Sequence, residues 1–545
     1  MKRLRELHGL GGDPVSGGPL LATDGRVYGV VLARSESDVS AGYGLTARQV
    51  AADAARAAST TVPVGTGNRG RALTGGNVVA RSQPFTEWCH KMTRYVHHVV
   101  TFVRADTGSV TRARRLTERR WNVTVWWRET VTGCRSRTWV PVLAWAVTRA
   151  VLLLTLFGAL RFPGDDVRPD VVIIYHGWYE RLLTGSFPIG DVTWQYPPAA
   201  AAVFVAPALL PFLTYSHAFY LLACAADATV LVMLLRAGRA HGRGLAGAWL
   251  WVAGVAVLGP LALARYDVMV TALAVAALLA AARHPRVAGA LAGIGALVKA
   301  WPVLLLAGAR PGRTTRRSWG AALVTTVGVS AAFLAFTRGP FAFVTEQRQR
   351  GVEIESLGAL PFHVLRWLGM WHGTSRLHYG SFEFLGPYVP AAARIALAGA
   401  VLAFCWLVWW RVRARTFSDA VLYDAAFAAV LVFVTTSRVI SPQYLIWLLG
   451  LGAVCLTGRS TVQRRPVLLI LAACFFTVLE FPVGFGQVVR SDLPGIVVLL
   501  IRDGLLLVAT VSACRRLWRS TASQPEATPD DVPSPDTDYA AAPTG

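Results

Sequence analysis

Between Trp139 and Cys514 the chain carries twelve apolar segments, and these decide what it can fold into. They run approximately over 139–160, 197–213, 217–236, 245–264, 267–282, 287–309, 318–337, 389–410, 419–436, 444–458, 466–486 and 495–514. Many approach or exceed the roughly 18 residues that cross a bilayer as a helix. Inside a bilayer every backbone polar group must be satisfied within the chain, which helices do segment by segment. The expected fold is an all-α polytopic membrane protein, with roughly 10–12 transmembrane helices and large outer loops. Only 16% of the 545 residues are charged, below the roughly 25% of soluble domains.

The net charge of +23 would by itself point to nucleic acid, but its location points to membrane orientation instead. Six short connections or ends carry Arg and no acid: 236–243, 283–286, 310–317, 411–415, 459–465 and 515–519. Positive loops stay cytoplasmic. The acidic and aromatic loops 161–196, 338–388, 437–443 and 487–494 then face outward, with both chain ends inside. This assignment forces two irregularities. Segment 197–213, with Pro197, Pro198, Pro207 and Pro211, is expected to be interfacial or re-entrant. Segment 287–309 has Arg on both flanks, so it should rise and return as two short helices broken at Lys299-Ala300-Trp301-Pro302.

The first 138 residues read differently. Residues 1–60 contain SGGPLL, then LLATDGRVYGVVLA as strand–turn–strand, then GYGLTARQV. These stretches resemble the C-terminal end of a trypsin-like serine protease. Ser16 would hold the nucleophile position, with His8 and Asp13 the sole upstream candidates for base and orienter. The expectation is a truncated remnant, or a mispredicted or fused start. Residues 61–138 are a basic, unassigned cytoplasmic segment. His90, His97 and His98 lack the spacing of a metal site, and the seven scattered cysteines indicate neither zinc nor a disulfide framework. No cofactor or metal is expected. Residues 139–514 form the membrane body, and 515–545 are expected to be a disordered cytoplasmic tail.

Chemistry is expected in the loop RFPGDDVRPDVVIIYHGWYERLLTGSFPIGDVTWQYPP (161–198), where acids and aromatics crowd between apolar segments. Residues 139–514 resemble the GT-C glycosyltransferases, in particular glycosyltransferase family 87. Four stretches carry the likeness: 170–198, 265–306 with its K-x-W-P, RQRGVEIESL (348–357) and SRVISPQYLIWLL (437–449). The resemblance implies inverting transfer of a sugar, commonly mannose, from a polyprenyl-phosphate carrier on the outer face. The acceptor would be a cell-envelope glycolipid or glycan. The partners implied are that donor, that acceptor and membrane lipid, without nucleic acid.

Inverting transfer needs one carboxylate to take the acceptor proton. Asp170, Asp166 and Asp165 compete for that role, and Asp170 matches the family's loop aspartate. Asp191 either binds sugar hydroxyls or caps a turn. Lys299, the lone lysine of the membrane body, is costly to bury there. Its expected partner is a donor phosphate or an outer-face carboxylate. Arg348, Arg350 and Arg438 are further phosphate candidates. Glu353, Glu355, His363 and Gln443 are candidates for substrate contact or for structural support. Asp267 either faces the cavity or pairs locally with Arg265. The competing function is a lipid or glycolipid transporter without transferase chemistry, although no internal repeat is evident.

Overall fold

The computed structural model describes residues 19–21, 27–34, 42–46, 138–240, 243–344 and 350–522. The chain forms two compact units, 1–116 and 117–545. In the first, Pro19–Leu21, Val27–Arg34 and Gly42–Thr46 make an antiparallel sheet in chain order. Its middle strand is rich in β-branched and aromatic residues. Ser16, His8, Asp13 and the histidines at 90, 97 and 98 lie outside the described residues.

The second unit is helical. Among the described residues, seven helices are long and apolar enough to cross a membrane: Trp139–Leu156, Tyr215–Arg239, Arg313–Phe336, Val389–Arg413, Asp419–Thr436, Arg464–Val483 and Leu493–Thr521. Five shorter apolar helices accompany them. The all-α polytopic class expected from the sequence is the one observed. Asp419–Thr436 and Tyr444–Thr457 form the buried centre. Val389–Arg413 lies at the edge, with Ile395, Leu402, Phe404 and Val412 exposed, as suits a helix that faces lipid.

Segments 197–213 and 287–309 are both interrupted rather than continuous helices. Segment 197–213 holds only Ala200–Val205 followed by a 3-10 turn, Ala206–Leu209. Segment 287–309 is an α-helix, Pro285–Val298, then a break at Lys299 and Ala300, then a 3-10 helix, Trp301–Gly308. At 1.5 Å per residue the first arm is about 21 Å long; at 2.0 Å the second is about 16 Å. Both fall short of the roughly 30 Å hydrocarbon core, so Lys299 marks an apex inside the bundle. The first arm carries Gly289-x-x-x-Gly293, and a Cβ there would meet the Ser318 carbonyl at 2.0 Å or the Ala322 carbonyl at 2.7 Å. These glycines let the hairpin approach Arg313–Phe336 closely.

The connections gather at two ends of the bundle. At one, Arg411 donates to the Ala309 carbonyl, the Arg415 amide to Thr521, and the Gly244 amide to Thr457. This end collects the arginine-rich turns. At the other, the Asp165 amide donates to Pro482, Ala199 to Leu297, Phe187 to Arg338 and Glu353 to Arg438. A three-stranded sheet caps this acidic end, with Ser381–Leu385 between Val352–Glu353 and Thr374–His378. Its hairpin turns at Tyr379 and Gly380, both with positive φ, as a two-residue hairpin loop requires.

Candidate active site

Four charged residues of alternating sign link the loop to the hairpin apex. Asp170 opens the helical segment Asp170–Leu182 and pairs with Arg265 at 2.9 Å. Arg265 also donates to the carbonyls of Val167 and Ala264, both at 3.0 Å. Two residues on, Asp267 begins the helix Asp267–Ala281. It accepts from Lys299 Nζ at 2.6 Å and from Trp447 Nε1 at 2.7 Å. Of the two alternatives for Asp267, the local pair with Arg265 does not form: each turns to a partner from another segment.

Lys299 lies in an aromatic cage. Its Nζ is 4.7 Å from the ring centre of Tyr266, 4.8 Å from Trp447, 5.2 Å from Tyr444 and 6.0 Å from Tyr196. Rings at such distances offset part of an ammonium's lost hydration. Arg265 and Arg350 lie near enough for their charges to act on it. The buried Arg265 Nε, Tyr266 hydroxyl and Asp267 Oδ2 have no protein partner. A lysine and several unmatched polar atoms thus gather at the apex, which suits a polar ligand.

The other loop aspartates stand apart from this centre. Asp166 is held by its neighbour Arg168, at 2.9 and 3.0 Å from Nε and 2.7 Å from Nη2, with both side chains exposed. Those bonds hold its carboxyl below the usual range. Asp165 is exposed, and its amide donates to the Pro482 carbonyl. Asp191 accepts from the Thr193 amide and hydroxyl and from Trp178 Nε1, so it caps a turn. It also borders a cleft of about 440 Å³ with Trp178, Arg181 and Thr193. A second cleft of about 320 Å³ is lined by Asp166, Arg168, His217 and Tyr220. Ile173 borders both.

A second polar cluster lies under the small sheet. Arg350 donates to Glu383 at 3.1 Å and to Ser381 at 2.5 Å. Arg438 donates to the Arg350 carbonyl at 2.8 Å. Glu353 accepts from Ser441 at 2.9 Å and is almost fully buried, which pushes its carboxyl up. Glu355 is pushed well up, first by burial and then by the Glu480 carboxyl beside it. Arg502 donates to Glu480 at 2.5 Å, to Asp503 at 2.9 Å and to the Glu355 carbonyl. His363 meets Ser491 through Nδ1 and the Ile354 carbonyl through Nε2, and burial lowers it to about 4. Both ring nitrogens therefore serve the fold. Gln443 is half-buried at the start of Tyr444–Thr457. Arg348 lies outside the described residues.

Sequence reasoning overlooked Glu383 and the cage role of Tyr196, Tyr266, Tyr444 and Trp447. Arg502, Asp503 and Asp227 were not among its candidates. Asp227 pairs across helices, with Arg149 and with the Trp145 indole. The signal available for all three was charge within an apolar run.

Residues 194–442 match the sequence model of Glycosyltransferase family 87. The match takes in Tyr196, Arg265, Asp267, Lys299, Arg350 and Glu353, and begins after Asp170. It supports a membrane glycosyltransferase that acts on a sugar donor and an acceptor. No curated protein and no solved structure matches the chain.

Proposed function

We propose that residues 139–514 form an inverting hexosyltransferase of the GT-C type in the plasma membrane of a bacterium. It moves mannose from a polyprenyl-phosphate donor to a cell-envelope glycolipid or glycan on the outer face, with both chain ends cytoplasmic. Asp170 is the general base. It takes the proton of an acceptor hydroxyl as that oxygen bonds to the sugar's anomeric carbon. The bond from that carbon to the phosphate oxygen breaks, and polyprenyl phosphate leaves with the electron pair. Lys299 and Arg350 receive the negative charge of the phosphate. Asp170 then returns its proton to water.

The observation that carries this reading is the row Asp170–Arg265, Asp267–Lys299, which joins the loop acid to the cationic apex. Of the three aspartates in competition, Asp170 is the one bonded into that row. Asp166 is occupied by Arg168.

The test uses membranes carrying the full chain and labelled polyprenyl-phosphate mannose. Asp170→Asn is expected to lower transfer by about 10²–10⁴-fold, the usual contribution of a positioned base, with expression unchanged. Wild-type transfer in that variant would overturn the base assignment. Movement of the donor across the membrane without release of polyprenyl phosphate would favour a transporter.

A further inference from the structure

Arg265 holds the loop at two points. Its guanidinium takes the carbonyl of Val167 and the carboxylate of Asp170, three residues apart in the same segment. A planar guanidinium that grips both backbone and carboxylate fixes direction as well as distance. Its third bond, to the Ala264 carbonyl, ties the group to its own backbone. The Arg265 side chain is 8% exposed and that of Asp170 38%. The buried partner is therefore the fixed one, and the half-exposed partner is free to meet a substrate on its open side. Asp267, on the same short stretch of backbone, fixes Lys299.

We infer that Arg265 is a positioning residue for Asp170, and that Arg265-Tyr266-Asp267 acts as one rigid spacer setting the loop carboxylate against the hairpin lysine. The inference rests on the reading of Asp170 as the base. Arg265 touches neither donor nor acceptor in this role. Its effect passes through the carboxylate it orients, so its loss should act on turnover rather than on donor binding. A misplacement near 1 Å is enough to cost about 100-fold in rate.

The full chain is assayed in detergent with labelled polyprenyl-phosphate mannose as donor and octyl α-mannoside as the acceptor probe. Arg265→Gln is expected to lower kcat about 100-fold while donor KM stays within about threefold. Arg265→Lys keeps the charge but not the planar fork, and is expected to be nearly as slow as Arg265→Gln. The double variant Asp170→Asn with Arg265→Gln should be no slower than Asp170→Asn alone. Three results would overturn the inference: a loss carried by KM, Arg265→Lys as fast as the wild type, or losses that multiply in the double variant. Should Arg265→Gln not accumulate, Arg265→Lys alone and combined with Asp170→Asn gives the same cycle. An active Asp170→Asn would instead remove the base assignment itself, and so separates the two failures.

Discussion

Lys299 Nζ lies 2.6 Å from Asp267 Oδ1, and the two side chains are 14% and 1% exposed. The pair joins a hairpin apex to the first residue of a helix, 32 positions apart. Removing one member of a buried pair leaves the other charge uncompensated, at a cost of about 3–5 kcal/mol, whereas replacing both is often neutral. Lys299→Met should therefore lower the melting temperature in detergent by several degrees. Adding Asp267→Asn should restore it without restoring sugar transfer. A double variant that regains transfer would show that the lysine serves stability alone.

Glu355 yields a pH prediction. Burial and the neighbouring Glu480 raise its carboxyl well above 4.5, so the folded chain binds a proton that the unfolded chain gives up. Stability from this group is complete below the unfolded value near 4.5, and is lost as pH rises through the folded value. Glu355→Gln removes this group's share of the titration. Across pH 5–9 the wild-type melting temperature should fall relative to that of Glu355→Gln. Parallel curves would show that Glu355 folds ionised.

The exposed pair Asp166–Arg168 should matter little. Exposed ion pairs contribute about 0–1 kcal/mol, and both side chains are more than a third exposed. Arg168→Gln is expected to change transfer less than threefold and to leave the melting temperature within about a degree. A loss near that of Asp170→Asn, in Arg168→Gln and Asp166→Asn together, would move the base from Asp170 to Asp166.

Much of this arrangement could be read before any coordinates. Lys299 beside Pro302 in an apolar run, with arginine on both flanks, implied a broken hairpin, because an ammonium in hydrocarbon needs a partner. The acidic, aromatic loops marked the end that holds Asp170, Glu353 and Arg438. The partners themselves were not legible. Asp267 lies two residues from Arg265, and the contest between local and distant pairing turns on direction. Asp267 begins a helix and Arg265 precedes it, and side chains two apart on a helical path do not face each other. Glu383 was missed because its hairpin, Thr374–His378 with Ser381–Leu385, is short and sits inside a long loop. Its pairing with Arg350 depends on register, with Glu353 opposite Glu383. The carboxyl beside Glu355 comes from a distant helix, at Glu480, and one sequence carries no sign of that contact.

The hairpin's close packing gives the last prediction. A Cβ at Gly289 would meet the Ser318 carbonyl carbon at 2.8 Å and its oxygen at 2.0 Å, whereas at Gly320 and Gly328 nothing lies within 4 Å. Backbone atoms cannot yield as a side chain does, so Gly289→Ala must push the first arm away from Arg313–Phe336. The apex that carries Lys299 would move with it. Gly320→Ala and Gly328→Ala should instead stabilise the helix slightly, since glycine inside a helix costs about 0.5–1 kcal/mol relative to alanine. Transfer and melting temperature are expected to fall together in Gly289→Ala and to hold or rise in the other two. If Gly289→Ala retained both, the hairpin would have room to shift without disturbing Lys299, and the apex would not be held by this contact.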